Sequence, residues 1–184
     1  MPKIKIKWNS ERLLSFSAMS ISFITLIIFI YQTNLMSKQN YLSIMPYLDF
    51  SQTRDFENHV YEVKLENHGI GPAIIESATI VYQNKRHNLS DYNNELYTFL
   101  RSMVPALDSL QNVSSSTLDK GMAIPANTEY TILSVKGPPE DYQLIQEGIK
   151  KLIEEGMDYE IVYKSIQDEH WLIHNNSEGP KKLD

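Results

Sequence analysis

The chain has 184 residues, no cysteine, and 17 basic against 23 acidic side chains, a formal charge of −6. Without cysteine there is no disulfide framework, no thiolate metal site and no cysteine nucleophile. The acid excess lies late in the chain: residues 40–184 hold 12 Lys and Arg against 22 Asp and Glu, a formal charge of −10. Such a surface repels phosphate backbones, which disfavours nucleic acid as a partner.

Residues 1–12 are a basic segment, with Lys3, Lys5, Lys7 and Arg12 against Glu11. Residues 13–31, LLSFSAMSISFITLIIFIY, carry no charge. At ~1.5 Å per residue they make a helix of about 28 Å, close to the hydrocarbon thickness of a bilayer. One transmembrane helix is expected over 13–31, with the lipid bilayer as its partner. The bases precede the run and only Lys38 follows closely, so the N-terminus is expected in the cytoplasm. The C-terminal domain is then periplasmic or extracellular, and the protein a single-pass protein of the cell membrane. The run ends without an Ala-x-Ala cleavage site, which favours an uncleaved signal-anchor over a signal peptide. Ser15, Ala18 and Ser22 lie on nearly one face as small residues, a possible helix–helix contact. The competing reading is that the serines bond their own helix backbone.

Residues 32–44 read as a polar stalk. A domain over 45–174 follows, with a first strand at Tyr47–Phe50. In Val60–Glu66, Tyr61, Val63 and Leu65 alternate with Glu62, Lys64 and Glu66, the period-2 pattern of a sheet with one wet face. Asn67 to Ala73 reads as a turn, because Gly69, Gly71 and Asn67 tolerate positive φ and Pro72 lacks a donor. The strand from Ala73 to Gln83 loses alternation at Glu76-Ser77, which predicts a bulge. A helix is expected from an N-cap at Ser90 to a stop at Pro105. A second starts near Pro139, carries Tyr142, Ile145, Ile149, Leu152 and Ile153 on one face, and ends before Gly156. Asn112–Thr117 reads as a flexible loop and Gly121–Asn127 as an edge or turn. Strands are expected at Tyr130–Lys136, Tyr159–Lys164 and Trp171–Ile173, and a disordered tail over 175–184. The predicted fold is mainly β with two helices, an antiparallel sandwich behind one membrane helix.

The run Leu65-Glu66-Asn67-His68-Gly69-Ile70-Gly71-Pro72-Ala73 resembles a pattern of bacterial single-pass membrane proteins. Those have an L-x-N-x-G-x-G-P-A strand–turn–strand, an Ile-Pro-Ala turn, here Ile124-Pro125-Ala126, and an aromatic-rich final hairpin, here Tyr159 to Trp171. The resemblance implies an immunoglobulin-like β-sandwich on a membrane tether. It implies no activity and no functional residue.

His170 and His174 share a strand face beside Asp168 and Glu169, but two histidines fall short of the three or four ligands zinc takes. There is no G-x-S-x-G, H-E-x-x-H or phosphate loop. Ser114, Ser115 and Ser116 have no neighbouring base in the sequence. No catalytic, cofactor-binding or metal-ligating residue is assigned, and the chain is read as non-enzymatic. A possible binding loop is formed by His68, Gly69, Gly71 and Pro72. The expected function is a membrane-anchored extracytoplasmic protein-binding or accessory module of an envelope complex, with a protein partner. The alternative is a membrane-acting effector, a toxin or defence protein, whose anchor self-associates. A third reading is an exported hydrolase.

Overall fold

The structure, a computed structural model, describes residues 10–175 and 178–183. Lys3, Lys5 and Lys7, on which the expected orientation rests, lie outside the described residues. The chain divides after Leu42 into two compact units.

The first unit is helix α1 (Ser10–Leu42), 33 residues long. Its stretch Ser10–Asn40 is long and apolar enough to cross a membrane. Phe16, Phe23 and Phe29 are exposed along it, which is costly in water and not in lipid. The helix does not stop at Tyr31. The polar residues expected as a stalk continue it to Leu42, because 32–42 contain neither Gly nor Pro.

The second unit is mainly β. It begins with β1 (Leu48–Asp55), β2 (Val60–Asn67), β3 (Ala73–Tyr82) and β4 (Lys85–Asn88). Two 3-10 turns (Leu89–Tyr92 and Pro105–Ser109) flank helix α2 (Leu96–Met103). Then come β5 (Val113–Ser115), β6 (Ala123–Ile124), β7 (Thr128–Lys136) and helix α3 (Pro139–Glu154). The chain closes with β8 (Asp158–Lys164), β9 (His170–His174) and β10 (Lys181–Leu183). One sheet runs β1-β2-β7-β5 and the other β10-β9-β8-β3-β4, with β6 also on β3. All pairings are antiparallel.

The alternating residues decide the faces. Tyr61, Val63 and Leu65 of β2 are buried, as are Ile75, Ala78 and Ile80 of β3, Ile161 and Tyr163 of β8, and Trp171 and Ile173 of β9. The sheets meet where Phe50 stacks on Tyr159 with ring centres 4.2 Å apart, and where the Leu48 N–H donates to the Tyr163 hydroxyl at 3.3 Å. Helices α2 and α3 close one side of this interior. Leu96, Leu100 and Ile149 face Val63 and Ile80 there, and Tyr142 packs edge-on against Phe56 of the β1–β2 hairpin.

The bulge lies where the lost alternation predicts it, between Ile75 and Ser77. A second bulge, between Val63 and Lys64, leaves Ile132 of β7 unmatched, and no break in the β2 pattern announces it. Three expectations are corrected. The helix expected from Ser90 is broken, because Asn93 and Asn94 take φ of 56° and 60° and end the first turn; Asn88, not Ser90, caps that turn. The loop expected at Asn112–Thr117 contains β5, whose backbone pairs with β7. The tail expected to be disordered contains β10, where Lys181 and Leu183 pair with Leu172 and His170. Polar side chains hid both strands, since an edge strand needs backbone partners more than a buried face.

Candidate functional site

The glycine turn is the most specific motif in the sequence, and its backbone is spent on the fold. Asn67 is buried to 1% exposure. Its Oδ1 accepts from the N–H groups of Tyr47 and Gly69, and its Nδ2 donates to the carbonyls of Gly71 and Ile124. The Met45 carbonyl accepts from Ile70 and Gly71, and the Tyr47 carbonyl from His68. The turn therefore clasps residues 44–47, the segment that leads the chain into β1. Neither Gly69 nor Gly71 has positive φ. They are glycines because of close approach. A Cβ on Gly69 would sit 2.6 Å from Pro46 Cα, and one on Gly71 would overlap the Ile44 carbonyl.

Of the residues expected to form a binding loop, Gly69 and Gly71 are buried and Pro72 is half-buried. Only His68 is exposed. Its Nε2 lies 3.4 Å from Glu66 Oε2, beside a shallow groove lined by Asn127, Thr128 and Glu129.

A larger site lies at the free edge of β1. Among the described residues β1 pairs with β2 alone. The first half of its outer edge is occupied: the Leu48 N–H reaches Tyr163, and the Phe50 N–H donates to Asp49 Oδ1 at 2.8 Å. Beyond it, Gln52, Thr53 and Arg54 are exposed. The edge runs into a cleft of about 310 Å³ lined by Tyr47, Asp49, Phe50, Tyr159, His174 and Glu178. Burial, with the charges of Asp49 and Asp158, pushes the Tyr159 hydroxyl up to about 12, so it stays neutral. Carboxylates, an imidazole and a neutral phenol in a cleft suit a cationic or amide side chain reaching in from a partner strand. No periodicity could reveal this cleft, because its walls come from residues more than a hundred positions apart.

The remaining candidates are accounted for locally. His170 Nδ1 is 2.7 Å from Glu76 Oε2, while Asp168 pairs with Lys164 and Glu169 with Lys182. Among the described residues no three His, Asp or Glu side chains converge as a metal site. In α1 the Ser15 hydroxyl donates to the Glu11 carbonyl and that of Ser22 to Ala18, each at 2.9 Å. Both hydroxyls thus bond their own helix, and the face with Ala18 is exposed. An apolar cleft between α2, α3 and the sheets, lined by Leu100, Ile149, Ile153 and Met157, opens to solvent beside Gln52 and Asn175. The chain matches no family model and no curated protein.

Proposed function

We propose that this chain is a membrane-anchored extracytoplasmic protein-binding module, an accessory subunit of an envelope complex, and that its partner pairs along the outer edge of β1. The observation that carries the reading is the free edge at Gln52–Arg54 running into the cleft of Asp49, Tyr159 and Glu178. A strand added to an exposed edge takes affinity from main-chain hydrogen bonds and specificity from side-chain pockets, and both are at hand here. The four bases before Leu13, against Lys38 after the run, support an outward-facing domain. The strand orders support an immunoglobulin-like reading. The order β1-β2-β7-β5 follows the A-B-E-D sheet of that fold, and β4-β3-β8-β9 its C′-C-F-G sheet. The test is photocrosslinking in native membranes from probes at Gln52 and Arg54, with Arg86 of β4 as a reference edge. A defined partner crosslinked from β1 and lost in Asp49→Lys supports the proposal. Equal diffuse crosslinking from all three positions defeats it.

The second reading, a membrane-acting effector, rests on the exposed small-residue face of Ser15, Ala18 and Ser22. Replacing residues 13–31 by polyleucine leaves an accessory module working and disables an effector.

A further inference from the structure

The edge strand β1 borders two clefts of opposite character. The apolar cleft opens beside Gln52, and the cleft of Asp49 and Glu178 lies along Tyr47 to Phe50. Phe50, Tyr159 and Asn175 line both, so the stacked rings of Phe50 and Tyr159 are the wall between them. The two openings therefore follow one another along the strand.

The ladder fixes which groups of β1 face outward. In an antiparallel pair alternate residues turn both backbone groups to the neighbour, and the residues between turn theirs away. The Leu48 and Phe50 N–H groups point away from β2, since they reach Tyr163 and Asp49. Gln52 and Arg54 are in the same phase, so their N–H and carbonyl groups face outward too. The side chains of Phe50 and Gln52 share a face with buried Leu65 and Val63, their partners on β2. A strand added at this edge therefore turns the residues opposite Phe50 and Gln52 toward the space between the sheets, about 6.8 Å apart.

The clefts differ in what they accept. The apolar one has a volume of about 40 Å³. A water needs roughly 10–15 Å³ of such space, so the cleft takes about three or four non-hydrogen atoms, an aliphatic side chain but not an aromatic one. The other, about 310 Å³, presents the carboxylates of Asp49 and Glu178 and has no Lys or Arg in its lining. Arg54 stands at the opposite end of the free edge, where its guanidinium donates to Gln52 Oε1 at 2.8 Å. Acids at one end and a base at the other give the edge a direction: a cationic side chain is drawn toward Asp49 and repelled from Arg54.

We infer that this edge selects an antiparallel strand with a small aliphatic side chain opposite Gln52 and a Lys or Arg opposite Phe50, two positions further on. The inference rests on the proposed pairing along β1 and adds the partner's chemistry, a segment such as Val-x-Lys with the aliphatic residue first. Pairing passes the Phe50 N–H from Asp49 to a carbonyl of the added strand, which releases that carboxylate for the cation.

The absence of native cysteine allows a tethered test. Thr53 pairs with Glu62 on the wet face, so Thr53→Cys leaves both clefts intact. Its counterpart in the added strand is the residue just before the aliphatic one. The full chain in detergent is equilibrated in a thiol–disulfide buffer with the acetylated peptide Thr-Cys-Val-Thr-Lys-Thr, or with Glu in place of its Lys, or Trp in place of its Val. Lys85→Cys on β4 is the reference edge, and captured fractions are read by mass spectrometry. The Thr53→Cys chain should capture the Val and Lys peptide about tenfold over either variant, while the Lys85→Cys chain takes all three alike. Adding Asp49→Lys and Glu178→Lys should pass the preference to the Glu peptide. Equal capture of all three at 53, yet above that at 85, overturns the selection and leaves the pairing along β1 standing. Discrimination against only one variant overturns the paired requirement. Capture at 53 no greater than at 85 overturns both the selection and the pairing.

Discussion

The two ends of the β domain are held by different forces. At the end that receives the chain, order comes from backbone: Asn67 makes four hydrogen bonds, and Gly69 and Gly71 let residues 44–47 approach without side chains between. At the other end, order comes from apolar packing of α2 and α3 into the sheets. Phe99 is fully buried there and meets Tyr92 edge-on at 5.2 Å. A backbone contact has no room to relax, while a packed side chain can be partly replaced by its neighbours. Single substitutions should therefore fail sharply at the first end and by degrees at the second.

The sharpest test of that contrast is Gly71→Val, whose Cβ overlaps the Ile44 carbonyl. It should cost more than about 4 kcal/mol, enough to unfold a marginal domain. The check is urea unfolding of the full chain in detergent; a midpoint within error of the parent would show that residues 44–47 are not clasped. Phe99→Ala comes next, at about 3–5 kcal/mol with the domain still folded. Asn67→Ala should cost about 3 kcal/mol, because it strands two N–H groups and two carbonyls together. If Asn67→Leu, which fills the space without the bonds, restored most of that loss, volume rather than hydrogen bonding would hold this end too.

A smaller effect belongs to the wet face of β2. Burial pushes the Glu62 carboxyl up, but bonds from Lys64, Lys136 and Ser134 outweigh it and hold the group below its ordinary value. The folded state therefore binds this proton less tightly than the unfolded chain. Its contribution is complete above the ordinary glutamate range and is lost as pH falls through the lowered folded value. Unfolding midpoints measured between neutral and acid pH should converge for the parent and Glu62→Gln as the pH drops; parallel curves would remove Glu62 from the account. The smallest effect is His68→Ala, expected within about 0.5 kcal/mol by thermal melting. A loss comparable to that of Asn67→Ala would mean that the exposed imidazole is part of the clasp.

Local patterns carried much of this architecture. The uncharged run at 13–31, the alternation in β2 and β8, the slip at Glu76 and the Pro139-to-Gly156 helix each depend on neighbours a few residues apart. Period and composition make such features legible. Asn93 and Asn94 broke a helix that periodicity alone would continue, since the apolar stripe runs across both sides of the break. The strands β5 and β10 were illegible because polar edge strands are defined by the backbone of a neighbour.

The candidate site divides in the same way. The glycine motif could be read as a turn, but the reason for its glycines could not. That reason is the backbone at Ile44–Tyr47, more than twenty positions earlier, and Asn67 looks like any turn residue until Ile124 is beside it. The cleft joins Asp49, Tyr159 and Glu178 only after the two sheets face each other. From sequence alone came a membrane-length helix, an acidic cysteine-free domain and the faces of its best strands, because those follow from the spacing of neighbouring side chains. Tertiary structure alone decided which edge is free and which turn is clasped, because these depend on contacts between residues the chain keeps far apart.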